Sequence, residues 1–195
     1  MIGITKKIMN MARRHGRGAR VYTPSDFRHL GSDRAVWQAL SRLVKLGKLR
    51  RVARGIYDYP RHNKLLDVEV PASADAVAKA LGAVAKDDLA AANALGVTTA
   101  VHVRASYLTR GPSRTRTIGN RVIDLRHAPA WLLDFKDTPA MPLIQALNWL
   151  GPNADAVAID KLRTRMTPDI ARALNSNRVP GRLREPIRAL TFAAA

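Results

Sequence analysis

The sequence predicts an α+β protein in two parts, and three observations predict it. Charge is concentrated at one end: residues 1–64 carry 16 Lys and Arg against 3 Asp and Glu, while the other 131 residues carry 17 against 12. Hydrophobic spacing alternates between helical periods and short β-branched runs within each part. A stretch ending near Pro71 reads as a linker, giving a first domain at 1–63, a linker at 64–72 and a second domain at 73–195. With 195 residues, 47% of them apolar, each part has material for a small core.

The first part opens with Ile4, Ile8 and Met11 on one helical face, and Gly16 and Gly18 stop that helix. "RVY" at 20–22 suits a short strand. "TPSDFRHL" carries strong helix-start signals: Thr23 as cap, Pro24 in the first turn and Asp26 completing a capping-box variant. "GSDR" is a turn, and Ser32 caps a helix running from about Asp33 to Leu46, with Gly47 ending it. "LRRVAR" and "IYDY" follow as two strands around Gly55, and Pro60 closes the unit.

The second part begins with alanine-rich helices, "SADAVAKALGAVA" capped by Ser73 and "DDLAAANALG" led by acidic residues. Residues 97–126 change to a β-like pattern, with Gly119-Asn120 placed to turn a hairpin. Pro139 and Pro142 precede a helix through Leu150, and short helices are expected at 154–165, 168–176 and 182–190.

At about 100° per residue, Val36, Ala39, Leu40, Leu43 and Leu46 gather on one side of the 33–46 helix. Arg34, Gln38, Ser41, Arg42 and Lys45 gather on the other, with Trp37 and Val44 at the boundary. Arg and Gln are the side chains best suited to base edges and phosphates. A short helix, a tight turn and this second helix make a helix-turn-helix, whose second helix enters the major groove of DNA. The following hairpin is a wing: Arg50, Arg51 and Arg54 surround its tip, placed to neutralise the backbone or probe the minor groove. The expectation is an N-terminal winged helix-turn-helix domain followed by a mixed helical/β domain, with double-stranded DNA as partner. A membrane surface fits less well, because the basic region lacks a long Trp/Phe/Leu face.

Other function classes find little support. Cysteine is absent, which excludes disulfides and thiolate metal sites. His15, His29, His62, His102 and His127 show no metal-ligand spacing, and no P-loop or GxSxG motif occurs. The basic N-terminus has no apolar core of signal-peptide length, and no membrane-spanning apolar run exists. A cytoplasmic protein without cofactor, metal or catalysis is expected. The one enzyme-like hint is Asp124 with Asp134-x-Lys136, a loose echo of metal-dependent nucleases, where two carboxylates hold a cation while lysine orients water; it makes a metal-dependent nucleic-acid-processing enzyme the remaining alternative. Arg110, Arg114, Arg116, Arg121 and Arg126 cluster in the β-like region with Ser113 and Thr115. They form a candidate second basic face for a polyanion or a protein, beside the plainer reading of an exposed charged sheet.

Several stretches resemble the AbiEi family of type IV antitoxins, in particular its compact members. These are "ALSRLVKLGKLRRVARGIYDYPR", "AAANALGVTT", "YLTRGPSR" with "IGNRVIDLRHAP", and "IQALNWLG", in matching order from about residue 20 to 151. The resemblance implies an N-terminal winged helix that represses its own operon, joined to a C-terminal antitoxin domain. It also implies a cognate nucleotidyltransferase-like toxin as functional partner. Carried onto this sequence, the DNA-reading positions are Arg34, Gln38, Ser41, Arg42 and Lys45, with Arg50, Arg51 and Arg54 in the wing. The main rival is a plain winged-helix transcriptional regulator whose second domain dimerises or senses a ligand.

Overall fold

Local sequence sets the limits of the first helix, α1, at Ile4–His15. The computed structural model describes residues 3–175 and 179–191. In it α1 buries Ile8, Met9 and Ala12 and ends where the Gly16 N–H meets the carbonyls of Ala12 and Arg13. Gly16 takes φ +88° there, a conformation that favours glycine. The chain then forms β1 (Val21–Tyr22). Asp26 accepts hydrogen bonds from the Thr23 N–H at 2.7 Å and the Thr23 hydroxyl at 2.9 Å, so the expected start signal operates. The segment it starts, Pro24–Leu30, is nevertheless a 3-10 helix. Seven residues that bury only Phe27, with Ser25 and Asp26 among them, have little to hold the wider α turn.

Next comes α2 (Asp33–Lys45), whose Ser32 cap accepts from the Ala35 N–H at 3.3 Å. It buries Val36, Ala39, Leu40 and Leu43. Beyond Gly47, the antiparallel pair β2 (Arg50–Ala53) and β3 (Ile56–Asp58) joins β1 in a sheet of order β1-β3-β2. Leu40, Leu43, Tyr22, Phe27 and Ile8 pack into one core with Tyr57. Each large apolar side chain buried there contributes about 1.5–3 kcal/mol.

Residues expected to be a linker are instead partly a hairpin, β4 (Arg61–Asn63) with β5 (Val68–Val70). Its turn is specified locally, since the Asn63 side-chain carbonyl accepts from the N–H groups of Leu65 and Leu66. The Ser73-capped helix α3 (Ala74–Ala80) follows.

The first compact unit therefore runs through Leu81 and also includes Thr117–Arg121. Its limit differs from the expected 63/73 division because α3 packs on β1.

The second unit comprises Gly82–Arg116 and the chain from Val122. The expected helix through residue 85 breaks at Gly82, φ +93°, and Ala83–Lys86 is a strand, β6. Pairing with β7 (Ala105–Thr109) overrides the helical preference of alanine. Between them lies α4 (Asp88–Ala94), capped by Asp87. β8 (Arg114–Ile118) and β9 (Arg121–His127) turn at Gly119-Asn120 and complete a sheet of order β6-β7-β9-β8, in which β7 and β9 run parallel.

Helices α5 (Ala130–Leu133), α6 (Met141–Leu150), α7 (Ala156–Arg163), α8 (Pro168–Leu174) and α9 (Arg184–Thr191) follow. Pro142 sits inside the first turn of α6 rather than before it. The expected 168–176 helix ends at Leu174, and Ser176 lies outside the described residues. Leu108, Ile144, Leu147, Leu162, Leu174 and Leu190 share one core, so the tail after residue 151 helps build this unit.

Candidate nucleic-acid interface

The side of α2 opposite its buried stripe presents Arg34, Gln38, Ser41, Arg42 and Lys45, all exposed. The helical period places these five on one face, and the structure keeps them together. Among the described residues, none of these three cations makes a salt bridge. Arg51 and Arg54, on and beyond β2, are likewise exposed.

Arg50 departs from the expectation. Its Nε donates to Asp58 Oδ1 at 3.1 Å and its Nη2 to Asp58 Oδ2 at 2.5 Å. The same guanidinium reaches Glu69 at 3.2 Å and the Val70 carbonyl at 2.9 Å. These bonds raise its pKa above the ordinary arginine value, the hydrogen bond to Asp58 contributing most. A guanidinium so occupied is a structural tie between β2, β3 and β5, with its donors turned toward these partners.

Trp37 is the strut between helix and hairpin. It is 43% exposed, stands edge-on to Tyr57 with ring centroids 6.5 Å apart, and its ring reaches the turn at Gly55. That turn needs φ +74°, which glycine supplies without strain. Burial pushes the Tyr57 hydroxyl pKa up. The exposed Lys6, Lys7, Arg13 and Arg14 of α1 add positive charge to the same unit. The basic N-terminal run carries that signal, but no groove-facing pattern singles them out.

The second group of arginines does not form one face. Thr115 donates to Asp124 at 2.6 Å, so these two lie on the same side of the β8–β9 hairpin. Strand alternation then puts Arg126 with them and Arg114, Arg116 and Arg121 on the opposite side. Arg114 lies against Gly111 and donates to the Pro112 carbonyl, Arg121 donates to the Ala72 carbonyl, and Arg110 is exposed after β7.

Asp134 caps the end of α5 and Lys136 pairs with Asp137 at 3.1 Å, while Asp124, on β9, is held by Thr115 of β8. Among the described residues, no group of three or more Asp, Glu and His is placed to hold a metal ion.

One polar cluster escaped the sequence reading, which took Asp87 and Asp88 only as the lead of a helix. Asp87 is 3% exposed, with His102 Nε2 at 2.5 Å and an Arg126 nitrogen at 4.0 Å. Asn148 donates to Asp88 at 2.5 Å and accepts from Arg182 at 2.8 Å. The other Asp88 oxygen is buried without a hydrogen-bond partner among the described residues. Burial is the main reason that the Asp88 pKa is raised; Asn148 pulls it down and neighbouring Asp87 raises it further.

Residues 7–173 match a family described as a family of unknown function, DUF6088. The chain belongs to this family. The DUF6088 match takes in α2, the β2–β3 hairpin and the sheet and helices of the second unit through most of α8. No curated protein and no solved structure matches the chain.

Proposed function

We propose that this DUF6088 chain is a DNA-binding autorepressor and the antitoxin of a type IV, AbiEi-like toxin–antitoxin system. In this reading the N-terminal unit is a winged helix-turn-helix, α2 its recognition helix and the β2–β3 hairpin its wing. One observation carries the DNA assignment: five exposed polar and basic side chains share the outer face of α2, next to the exposed Arg51 and Arg54. Such a face supports base reading by Gln38 and the arginines, with backbone neutralisation by the hairpin.

The antitoxin assignment rests on the resemblance of the quoted stretches, which extend through both units. The partners are then the operator of its own operon and a nucleotidyltransferase-like toxin, both in the cytoplasm. No helix among the described residues is long and apolar enough to cross a membrane. The chain performs no catalysis in this reading and takes no cofactor.

The test is growth during induction of the neighbouring toxin gene, with the antitoxin expressed from an unrelated promoter. The wild-type chain should protect. An Arg34→Ala/Arg42→Ala chain should lose repression of an operon reporter yet still protect, because neither residue contributes to the second unit's core. Absence of protection by the wild-type chain would leave the plain-regulator reading in its place.

A further inference from the structure

The N-terminal unit contains a groove of about 610 Å³ between the end of α1, the β1 segment and α3. Its size falls within the roughly 300–1,000 Å³ range of small-molecule sites. Small side chains create the space: Ala19 on one wall, Ala76 and Ala80 on the other.

Three nitrogen-bearing side chains on three separate segments line it: His15, Arg20 and Lys79. The acid in the lining is Asp26, which takes one Arg20 nitrogen at 2.7 Å and leaves the remaining guanidinium donors available. The Arg20 guanidinium also lies over the Tyr22 ring, 5.6 Å from its centroid. His15 Nδ1 meets the Tyr22 hydroxyl at 3.0 Å, which fixes the ring and leaves Nε2 for another partner. Lys79 makes no salt bridge among the described residues.

Donors on three segments suit an anion with at least three acceptor oxygens. A tetrahedral phosphate monoester has them, whereas a planar carboxylate has two. We infer that this groove binds a small organic phosphate, the phosphate held by Arg20, Lys79 and His15 and the apolar body lying against Val21, Ala76 and Ala80. The proposed DNA-reading residues do not line the groove, so occupancy is measurable whether or not the chain binds DNA.

The full-length chain is titrated with phenyl phosphate, inorganic phosphate and phenol at fixed ionic strength. Calorimetry gives the affinity, and amide chemical shifts give the location. Phenyl phosphate should bind more tightly than inorganic phosphate, phenol should not bind, and the shifts should centre on residues 15–26 and 76–80. Lys79→Ala removes an exposed side chain without disturbing the core and should weaken binding about tenfold, the value of one charge-assisted contact. Ala76→Leu should block the groove while leaving every charge in place. The inference is overturned if phenyl phosphate fails to bind, or if phenol binds equally well. It is also overturned if Lys79→Ala and Ala76→Leu leave affinity unchanged while Arg42→Ala/Arg54→Ala abolishes it, because the phosphate would then sit on the α2–hairpin face.

Discussion

Arg50 grips Asp58 through two nitrogens, and Asp58 is 1% exposed, so the first arginine of the hairpin points its charge into the fold. Removing one partner of such a pair strands a buried charge. Arg50→Ala should therefore destabilise the chain by about 3 kcal/mol, measured by urea denaturation. The neighbouring Arg54→Ala, an exposed change, should stay within about 0.5 kcal/mol of wild type. Equal stabilities of the two variants would show that the Arg50 tie has no energetic importance.

Helix and hairpin should fail differently. Gln38→Ala or Arg42→Ala should relax discrimination between operator and random duplex by about 1–3 kcal/mol per lost base contact. Arg54→Ala should weaken both duplexes alike and lower the salt slope by about one. Competition binding with the two duplexes separates these outcomes. Uniform weakening by the α2 substitutions would move the base-reading face elsewhere.

The parts of this architecture that were legible are those specified within a few residues. The Ser32 cap, the Thr23–Asp26 pairing and the terminating Gly16 act on their immediate neighbours. The outward face of α2 follows from helical period alone. Arg50 was misread because its partners come from β3 and β5, and only strand register and hairpin packing bring them near. Ala83–Lys86 was misread because pairing with β7 decides its conformation. The five β-region arginines looked like one patch until strand alternation divided them. Asp87 and His102 are separated by fifteen positions and a loop, and no local signal joins them.

The Gly55 turn should tolerate a side chain sterically but not conformationally. A Cβ there would meet the Trp37 ring at 3.6 Å, an ordinary contact, while φ +74° disfavours any L side chain. Gly55→Ala should thus cost about 1 kcal/mol of stability, read from the denaturation midpoint. A neutral result would mean that the turn relaxes out of its left-handed conformation.

Asp88 should oppose stability at neutral pH. Its folded-state pKa is raised above the ordinary carboxylate value of 3.8, chiefly by burial. Its contribution is therefore fully favourable below that value and is lost as pH rises through the raised one. Asp88→Asn should raise the melting temperature at pH 7 relative to wild type, and by less at pH 4. A larger benefit at pH 4 would reverse the assigned sign.

In the proposed function, DNA is held by the α2 face and the adjacent hairpin. The most direct measurement is affinity of the full-length chain for a duplex carrying its own operon's promoter, across a salt series. Wild type should show a slope of log affinity against log salt of about −4 or steeper, as expected when several phosphates are neutralised. Arg34→Ala/Arg42→Ala/Arg54→Ala should flatten that slope and abolish operator preference. Arg110→Ala/Arg116→Ala/Arg126→Ala should leave both unchanged. Loss of the operator by the second triple variant with retention by the first would place DNA on the second unit instead.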